Sequence, residues 1–373
     1  MKVGIITIHK INNYGSVLQA YALQRACEEL GCEVEIIDYC FPNAYHTHNK
    51  YATMSDSQPN EPKLIKMLYG LALTRQHKGI RTFVAKYQHL SERQYASPDE
   101  LKNDAPHYDV YITGSDQLWN PRHCNGDPAF MLHFAPDSAV KISYAASIGA
   151  NAIPEQLHPL YKELLGRYKR IGVRELSGVE IIRELTGKDA TVVLDPTLLL
   201  DKNQWDKIAS PKRQFNNKYI LCYYLNYSFN AFPYVDDLAK NIQRQTGYEI
   251  IRVARPPHRL GESHTHYMVG ATPEEFLSLV RDSEMVLTTS FHGTAFAVNY
   301  GKPVFTIVNN KKASDSRQVS LMHSLGLDNQ IITIKDTMPE VSQAFYEVDE
   351  EQSKLSELRK LSCDFLYNAI YNE

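Results

Sequence analysis

The sequence predicts an α/β protein of two Rossmann-like, doubly wound domains facing a cleft. Three observations predict it. Short β-branched runs alternate with helix-like stretches along nearly the whole chain, a pattern that builds parallel sheets covered by helices. The alternation stops in a polar, lysine-bearing stretch at 200–217 and then restarts. Polar residues gather directly after the strand-like runs, where open α/β sheets bind ligands. A length of 373 residues suits about two domains.

The elements follow in order. Residues 2–8 read as a buried strand, 9–16 as a polar loop holding Asn12, Asn13 and Gly15, 17–30 as a helix stopped at Gly31, and 32–39 as a second strand. Such a unit crosses over right-handed. Within 42–105, two proline-containing polar patches flank the amphipathic stretch 63–90, which predicts an insertion of helices joined by loops. The parallel pattern resumes with a strand at 108–113 ending in Gly114-Ser115-Asp116 and another at 141–147 ending near Gly149. A helix at 157–168, a strand at 170–173 ending at Arg174, a helix at 177–185 stopped by Gly187, and a strand at 191–194 closed by Asp195-Pro196 complete the first half.

The second half restarts with strands at 219–225, 249–253, 285–289 and 303–308. Helices are expected at 234–246, 273–282 (N-capped by Thr272), 294–300, 321–325 and 352–371. The expected division is an N-terminal domain at 1–205, a C-terminal domain at 218–348, and a final helix at 349–373 packing across both. Leu355, Leu358, Leu361, Phe365 and Leu366 recur at helical spacing in that last segment, which reads as packing.

Composition narrows the function. Forty basic against 43 acidic side chains leave a net charge of −3, so no broad field for nucleic-acid phosphates exists. With 43% hydrophobic residues the chain can build real cores, which excludes general disorder. No apolar run approaches the ~20 residues of a membrane span. The opening MKVGIITIHK lacks the features of a signal peptide, and six scattered cysteines without a C-x-x-C suggest reduced thiols in the cytoplasm. The dinucleotide fingerprint G-x-G-x-x-G, the P-loop and the G-x-S-x-G elbow are all missing.

The sharpest candidate is the stretch 288–294, TTSFHGT, which joins an apolar strand to an apolar helix. Free amides at a helix N-terminus favour an anion, Gly293 permits close backbone approach, and His292 can donate to a phosphate or act as an acid. A capping or filler role for His292 is the plain alternative. Arg174 can clamp a carboxylate or phosphate, or simply pair with Glu175 or Asp195. Asp116 and Ser115 can meet an acceptor hydroxyl or cap a helix. Asn13 and Gly15 can shape a ligand loop or a turn, and Asp195-Pro196 reads as a turn. His258, His264 and His266 form a small cluster without a metal-binding frame and read as a solvated loop.

These strings together resemble the polysaccharide pyruvyl transferase family. They are NNYGSVLQAYALQ at 12–24, ITGSDQLWNP at 112–121, SYAASIG at 143–149, VRELSG at 173–178, VVLDPTLLL at 192–200, TTSFHGTAFAVNYGKPVF at 288–305 and SRQVSLMHSLGL at 316–327. The resemblance implies a fold similar to GT-B glycosyltransferases without a nucleotide-sugar donor. It implies transfer of the pyruvyl group of phosphoenolpyruvate onto two hydroxyls of a cell-surface glycan or its lipid-linked precursor. The product is a cyclic ketal, as in exopolysaccharide or capsule synthesis, and phosphate is released. Phosphoenolpyruvate would be a co-substrate, with no further cofactor and no metal.

On this resemblance His292 and Asp116 are the catalytic pair, as acid and base. Arg174, Ser290, His292, Gly293, Thr294 and Arg317 bind the donor, while Asn13, Tyr14, Ser115 and Asp116 face the acceptor. Some relatives carry an arginine two residues before the histidine, where this chain has Ser290. Arg317 is the expected replacement, with Arg252 and Arg255 as fallbacks. The implied location is cytoplasmic, and a lipid-linked acceptor would add peripheral contact with the inner membrane face through the lysines of 207–218. Two alternatives stay open at this point: a GT-B-type glycosyltransferase using a nucleotide sugar, and a non-catalytic glycan-binding relative.

Overall fold

The computed structural model describes residues 1–47, 63–225, 229–253, 264–313 and 316–372. Seven strands form the first sheet: β1 (Lys2–Ile6), β2 (Glu33–Tyr39), β3 (Leu90–Tyr95), β4 (Val110–Thr113), β5 (Val140–Ala146), β6 (Arg170–Val173) and β7 (Thr191–Val192). Their order is β3-β2-β1-β4-β5-β6-β7, and every pair is parallel. Six strands form the second: β8 (Tyr219–Tyr223), β9 (Glu249–Val253), β10 (Thr265–Met268), β11 (Met285–Thr288), β12 (Val304–Val308) and β13 (Ile331–Thr333). These run β10-β9-β8-β11-β12-β13, again all parallel.

Central strands such as β4, β8, β11 and β12 are buried at every position, because helices cover both faces. Ile5 of β1 lies between Ile36 and Ile112 in register, so the β-branched run becomes one layer of core. Each sheet reverses its strand order beside its first strand, between β1 and β4 and between β8 and β11. A crevice opens at such a switch point, outside the carboxyl ends of the strands.

Three strands escape the sequence pattern. The stretch 42–105 is more than helices joined by loops: after the helix Lys63–Tyr87 it adds β3 to the sheet edge. Its sequence LSERQY is polar because one side of an edge strand faces water. β10 closes the other sheet in the same way, and β13 is too short to register as a pattern. His266 therefore sits on an edge strand, 3.3 Å from Glu249, and not in a solvated loop. His258 and Arg255 lie outside the described residues.

The two sheets share a continuous apolar joint. Tyr14, the first residue of the helix Tyr14–Glu29, stacks on Phe276 with ring centroids 4.7 Å apart, and its hydroxyl donates to the Ala271 carbonyl at 2.8 Å. Burial pushes its pKa up beyond the range in which it can ionise. Trp205 is fully buried and meets Phe296 edge-on. Asn299 donates to the carbonyls of Thr197 and Leu200, at 3.0 and 2.8 Å, across the same seam. The helix Val348–Tyr371 then straps both halves: Ser362 accepts from the Leu194 amide, Arg359 donates to Leu198, and Gln352 donates to Val298. The six cysteines are unpaired, and no helix among the described residues is long and apolar enough to cross a membrane.

That strap contains a buried acid. Glu351 is 2% exposed, and its Oε1 has no hydrogen-bond partner. Burial raises its pKa to about 7, against the opposing effects of Gln352 and Arg359. A carboxyl with a raised folded pKa favours folding when protonated, so stability declines as pH rises from about 4.5 to about 7. Glu351→Gln removes that penalty. It is expected to raise the unfolding midpoint at pH 8, by on the order of 1–3 kcal/mol, and to change little at pH 4.5. Equal effects at both pH values in thermal denaturation would refute the assignment.

Candidate functional site

At the switch points, the ends of β4, β5, β6, β7 and β11 meet around one buried carboxylate. Asp195 Oδ1 caps a short 3₁₀ turn, accepting from the Thr197 amide at 3.0 Å and its hydroxyl at 2.8 Å. Oδ2 accepts from Ser115 Oγ at 2.8 Å and from Arg174 Nη1 at 2.7 Å. His292, from the second domain, places Nε2 3.7 Å from the same oxygen. Burial works to raise the Asp195 pKa, but His292, Arg174 and the Thr197 amide outweigh it and hold the carboxyl well below its usual range. Asp195-Pro196 is thus a turn, as its sequence suggests, and also the hub of the site.

Arg174 is almost fully buried, yet half of its donors are idle. Nη1 pairs with Asp195, while Nη2 stands 3.7 Å from Asp116 Oδ1, and neither Nε nor Nη2 has a hydrogen-bond partner. His292 Nε2 is likewise buried and makes no hydrogen bond, its approach to Asp195 being 3.7 Å long. Buried donors left open in this way carry a desolvation cost that a ligand anion would remove. Phe291 lies between two guanidinium groups, with Arg174 Cζ 4.8 Å and Arg317 Cζ 5.7 Å from its ring centroid. Burial, then repulsion from Arg174, pushes the Arg317 pKa down to about 10, so it still carries its charge at neutral pH.

Asp116 faces these cations. Its backbone φ is +85°, a strained value for a residue with a side chain, and such strain gathers at functional sites. Ser16 Oγ donates to Oδ2 at 2.6 Å and the Gln117 amide to Oδ1 at 2.8 Å. Burial opposes ionisation, but Arg174, His292, the Ser16 hydrogen bond and Arg317 prevail and lower the pKa. Asp116 is therefore a carboxylate that accepts hydrogen bonds. Gly15 is required beside it, because a Cβ there would overlap the His292 ring. Asn13 is half-buried and caps the helix Tyr14–Glu29, accepting from the amides of Gly15 and Ser16.

The structure brings His292, Arg174, Arg317, Asp116 and Asn13 to this region, but it employs other expected residues differently. The helix begins at Phe291, three residues earlier than the apolar run suggests, so Ser290 is its N-cap and accepts from the Gly293 amide. Thr294 is buried, with its hydroxyl against the Ser290 carbonyl and Thr306. These three positions hold the turn that aims His292. Ser115 is fully buried on Asp195, and Tyr14 lies in the domain joint, so neither faces an acceptor. Arg252 is ion-paired with Asp236.

Sequence reasoning missed Phe291 and His123, and it offered Glu175 only as an ion-pair partner for Arg174. Phe291 looks like a core residue until the two arginines flank it. Glu175 is wholly buried and gathers Ser147 Oγ and the amides of Ile148 and Gly149 on one oxygen, at 2.7–3.1 Å, which shapes the loop after β5. His123 packs against Phe41 with centroids 5.3 Å apart. Burial lowers its pKa, Asp116 opposes this and Arg317 reinforces it, so the ring is neutral at physiological pH. Its position just after ITGSDQLWNP was the available signal.

The sequence matches the family model of polysaccharide pyruvyl transferases over residues 13–311, and the chain belongs to that family. No curated protein matches it. Among solved structures it is similar to a UDP-GlcNAc 2-epimerase from Methanocaldococcus jannaschii, with a TM-score of 0.53, 13% identity, and coverage of 92% of this chain and 91% of the other. A protein assigned as a UDP-N-acetylglucosamine 2-epimerase from Listeria monocytogenes gives 0.52 and 10%, covering 98% of this chain and 90% of its own. The calicheamicin glycosyltransferase CalG4 gives 0.47 and 13%, covering 99% of each. At these identities the likeness is one of fold: two Rossmann-like domains in a GT-B-like arrangement.

Because Asp195 neutralises a buried guanidinium, removing its charge should be costly. Asp195→Asn is expected to destabilise the protein by about 3–5 kcal/mol at pH 7, the usual cost of breaking a buried pair from one side. Its depressed pKa contributes stability above about pH 4 that is lost on acidification, so the difference from the parent should shrink towards pH 3. A urea midpoint unchanged by the substitution at pH 7 would show that Arg174 does not depend on Asp195.

Proposed function

We propose that the protein transfers the pyruvyl group of phosphoenolpyruvate onto two hydroxyls of a glycan, forming a cyclic ketal and releasing phosphate. The observation that supports this most is the pair of guanidinium groups, Arg174 and Arg317, drawn to one aromatic ring near a buried His292 Nε2 that makes no hydrogen bond. Two like charges held together in a partly dry cleft suit a small, doubly anionic ligand, and phosphoenolpyruvate carries both a carboxylate and a phosphate. Membership of the family supports a transferase acting on a polysaccharide.

The chemistry follows from these residues. A proton reaches the methylene carbon of the donor, which becomes a methyl group and leaves its neighbour cationic. One sugar hydroxyl adds to that carbon and loses its proton. Phosphate then departs with its bonding electrons, aided by His292 as acid and by the guanidinium charges. The second hydroxyl adds to the same carbon, gives its proton to the departed phosphate and closes the ketal. Asp116 is a weak base because its pKa is lowered. Weakness suffices here: a hydroxyl bound to a cationic carbon becomes strongly acidic, so Asp116 orients it and takes the proton late. The clasp of two domains supplies the positioning on which such two-substrate chemistry depends.

The test is phosphate release from phosphoenolpyruvate with and without a pool of soluble and lipid-linked glycans, with mass spectrometry reading the ketal. Acceptor-dependent release is expected, and His292→Ala should lower kcat by about 10²–10⁴-fold. Arg317→Ala should chiefly raise the KM for phosphoenolpyruvate. Phosphoenolpyruvate should raise the thermal midpoint of the parent protein, whereas nucleotide sugars should not. A midpoint raised by nucleotide sugars alone would replace this reading with a glycosyltransferase. Turnover indifferent to His292→Ala would remove the histidine from the chemistry.

A further inference from the structure

A second cavity, of about 390 Å³, opens between the domains at neighbouring strand ends. One wall is the helix Leu176–Thr186, which starts directly after Arg174 and Glu175 at the end of β6. Ser177, Glu180, Ile181 and Glu184 line it, at the i, i+3, i+4, i+7 spacing of one helix face. The opposite wall follows β12, neighbour of the strand that leads to His292, and contributes Asn310 and Lys312. Glu180, Glu184, Asn310 and Lys312 are exposed, whereas Ser177 and Ile181 are buried. Ser177 is 4% exposed and its hydroxyl has no hydrogen-bond partner. Among the described residues neither Glu180 nor Glu184 has an ion-pair partner.

We propose that this cavity is a glycan subsite for a hydroxyl-rich sugar residue without a carboxylate; its role as the acceptor subsite rests on the transferase reading above. Two unpaired carboxylates accept from sugar hydroxyls, Lys312 donates, and Ser177 does either, which satisfies the open polar group. Among the described residues the lining carries two negative charges against one positive, so uronates and nucleotide diphosphates are disfavoured. The two sites thus divide by charge. The one beside Phe291, with its open guanidinium donors, takes the anionic donor, and the carboxylate-lined one takes a neutral sugar. Because the walls belong to different domains, a glycan bound there would also hold the cleft closed over the donor.

The experiment needs no turnover. The isoleucine methyl groups are labelled, Ile181 is assigned by its loss in Ile181→Val, and its resonance is followed by NMR. The probes are a mixture of neutral hexose oligosaccharides, a mixture of uronate-containing oligosaccharides, and a UDP-sugar. Neutral oligosaccharides are expected to shift the Ile181 methyl and to bind the Glu180→Lys/Glu184→Lys variant at least about tenfold more weakly. The variant should gain affinity for the uronate mixture, while its unfolding midpoint and its response to phosphoenolpyruvate stay as in the parent. Preference of the parent protein for uronates or the UDP-sugar overturns the proposal. So does neutral-glycan binding unaffected by the variant, or no shift with any probe. If neutral glycans bind as expected while phosphoenolpyruvate neither raises the midpoint nor releases phosphate, the subsite stands and the transferase reading falls.

Discussion

The site depends on the buried ion pair between Asp195 and Arg174. Both side chains are almost wholly removed from water, and ions so placed survive only when their charges and lone pairs are met. Asp195 is met by Ser115, Thr197 and Arg174, which bring the ends of β4, β6 and β7 to one point. The second domain then adds His292 to the same carboxylate. One residue thereby couples the packing of the first sheet to the relative placement of both domains. The apolar joint of Tyr14, Phe276, Trp205 and Phe296 supplies the rigidity that such a coupling requires.

The ion pair leaves Arg174 with spare donors, and the surrounding geometry increases the imbalance. Arg317 approaches the same Phe291 ring and is disfavoured there by both burial and the Arg174 charge. Asp116 offsets part of this, at the cost of a strained backbone. Three local rules are thus broken within one crevice: idle buried donors, adjacent like charges and a positive φ on an aspartate. Conflicts of this kind concentrate where function competes with stability.

Much of the fold was legible in the sequence because its central strands are continuous β-branched runs. β3 was not, since an edge strand with a wet face has the composition of a loop. Parts of the site were legible for a related reason: residues that follow strands in this architecture must converge, so His292, Arg174 and Asp116 could be named without knowing their partners. What they do for one another was not legible. Whether Ser115 faces a ligand or Asp195 depends on a side-chain direction set 80 residues away. Tyr14 sits in a polar, ligand-like motif, yet its ring belongs to a contact with the other domain. The helix start at Phe291, earlier than the apolar run suggests, turned Ser290 into a cap.

That cap gives position 290 a structural task. A serine there accepts from the Gly293 amide and fixes the turn that aims His292, a task for which an arginine has no acceptor. Arg317 is the first residue of the helix Arg317–Leu325, itself capped by Ser316. A cation at a helix N-terminus opposes the helix dipole, by about 0.3–1 kcal/mol in exposed cases, where an anion would be favoured. The guanidinium and the helix end therefore repel one another and attract the same thing. Placing Arg317 beside Phe291 brings guanidinium groups to one ring from two distant chain segments, at 174 and 317. Charge at this site is thus specified by position in space and not by one local sequence motif.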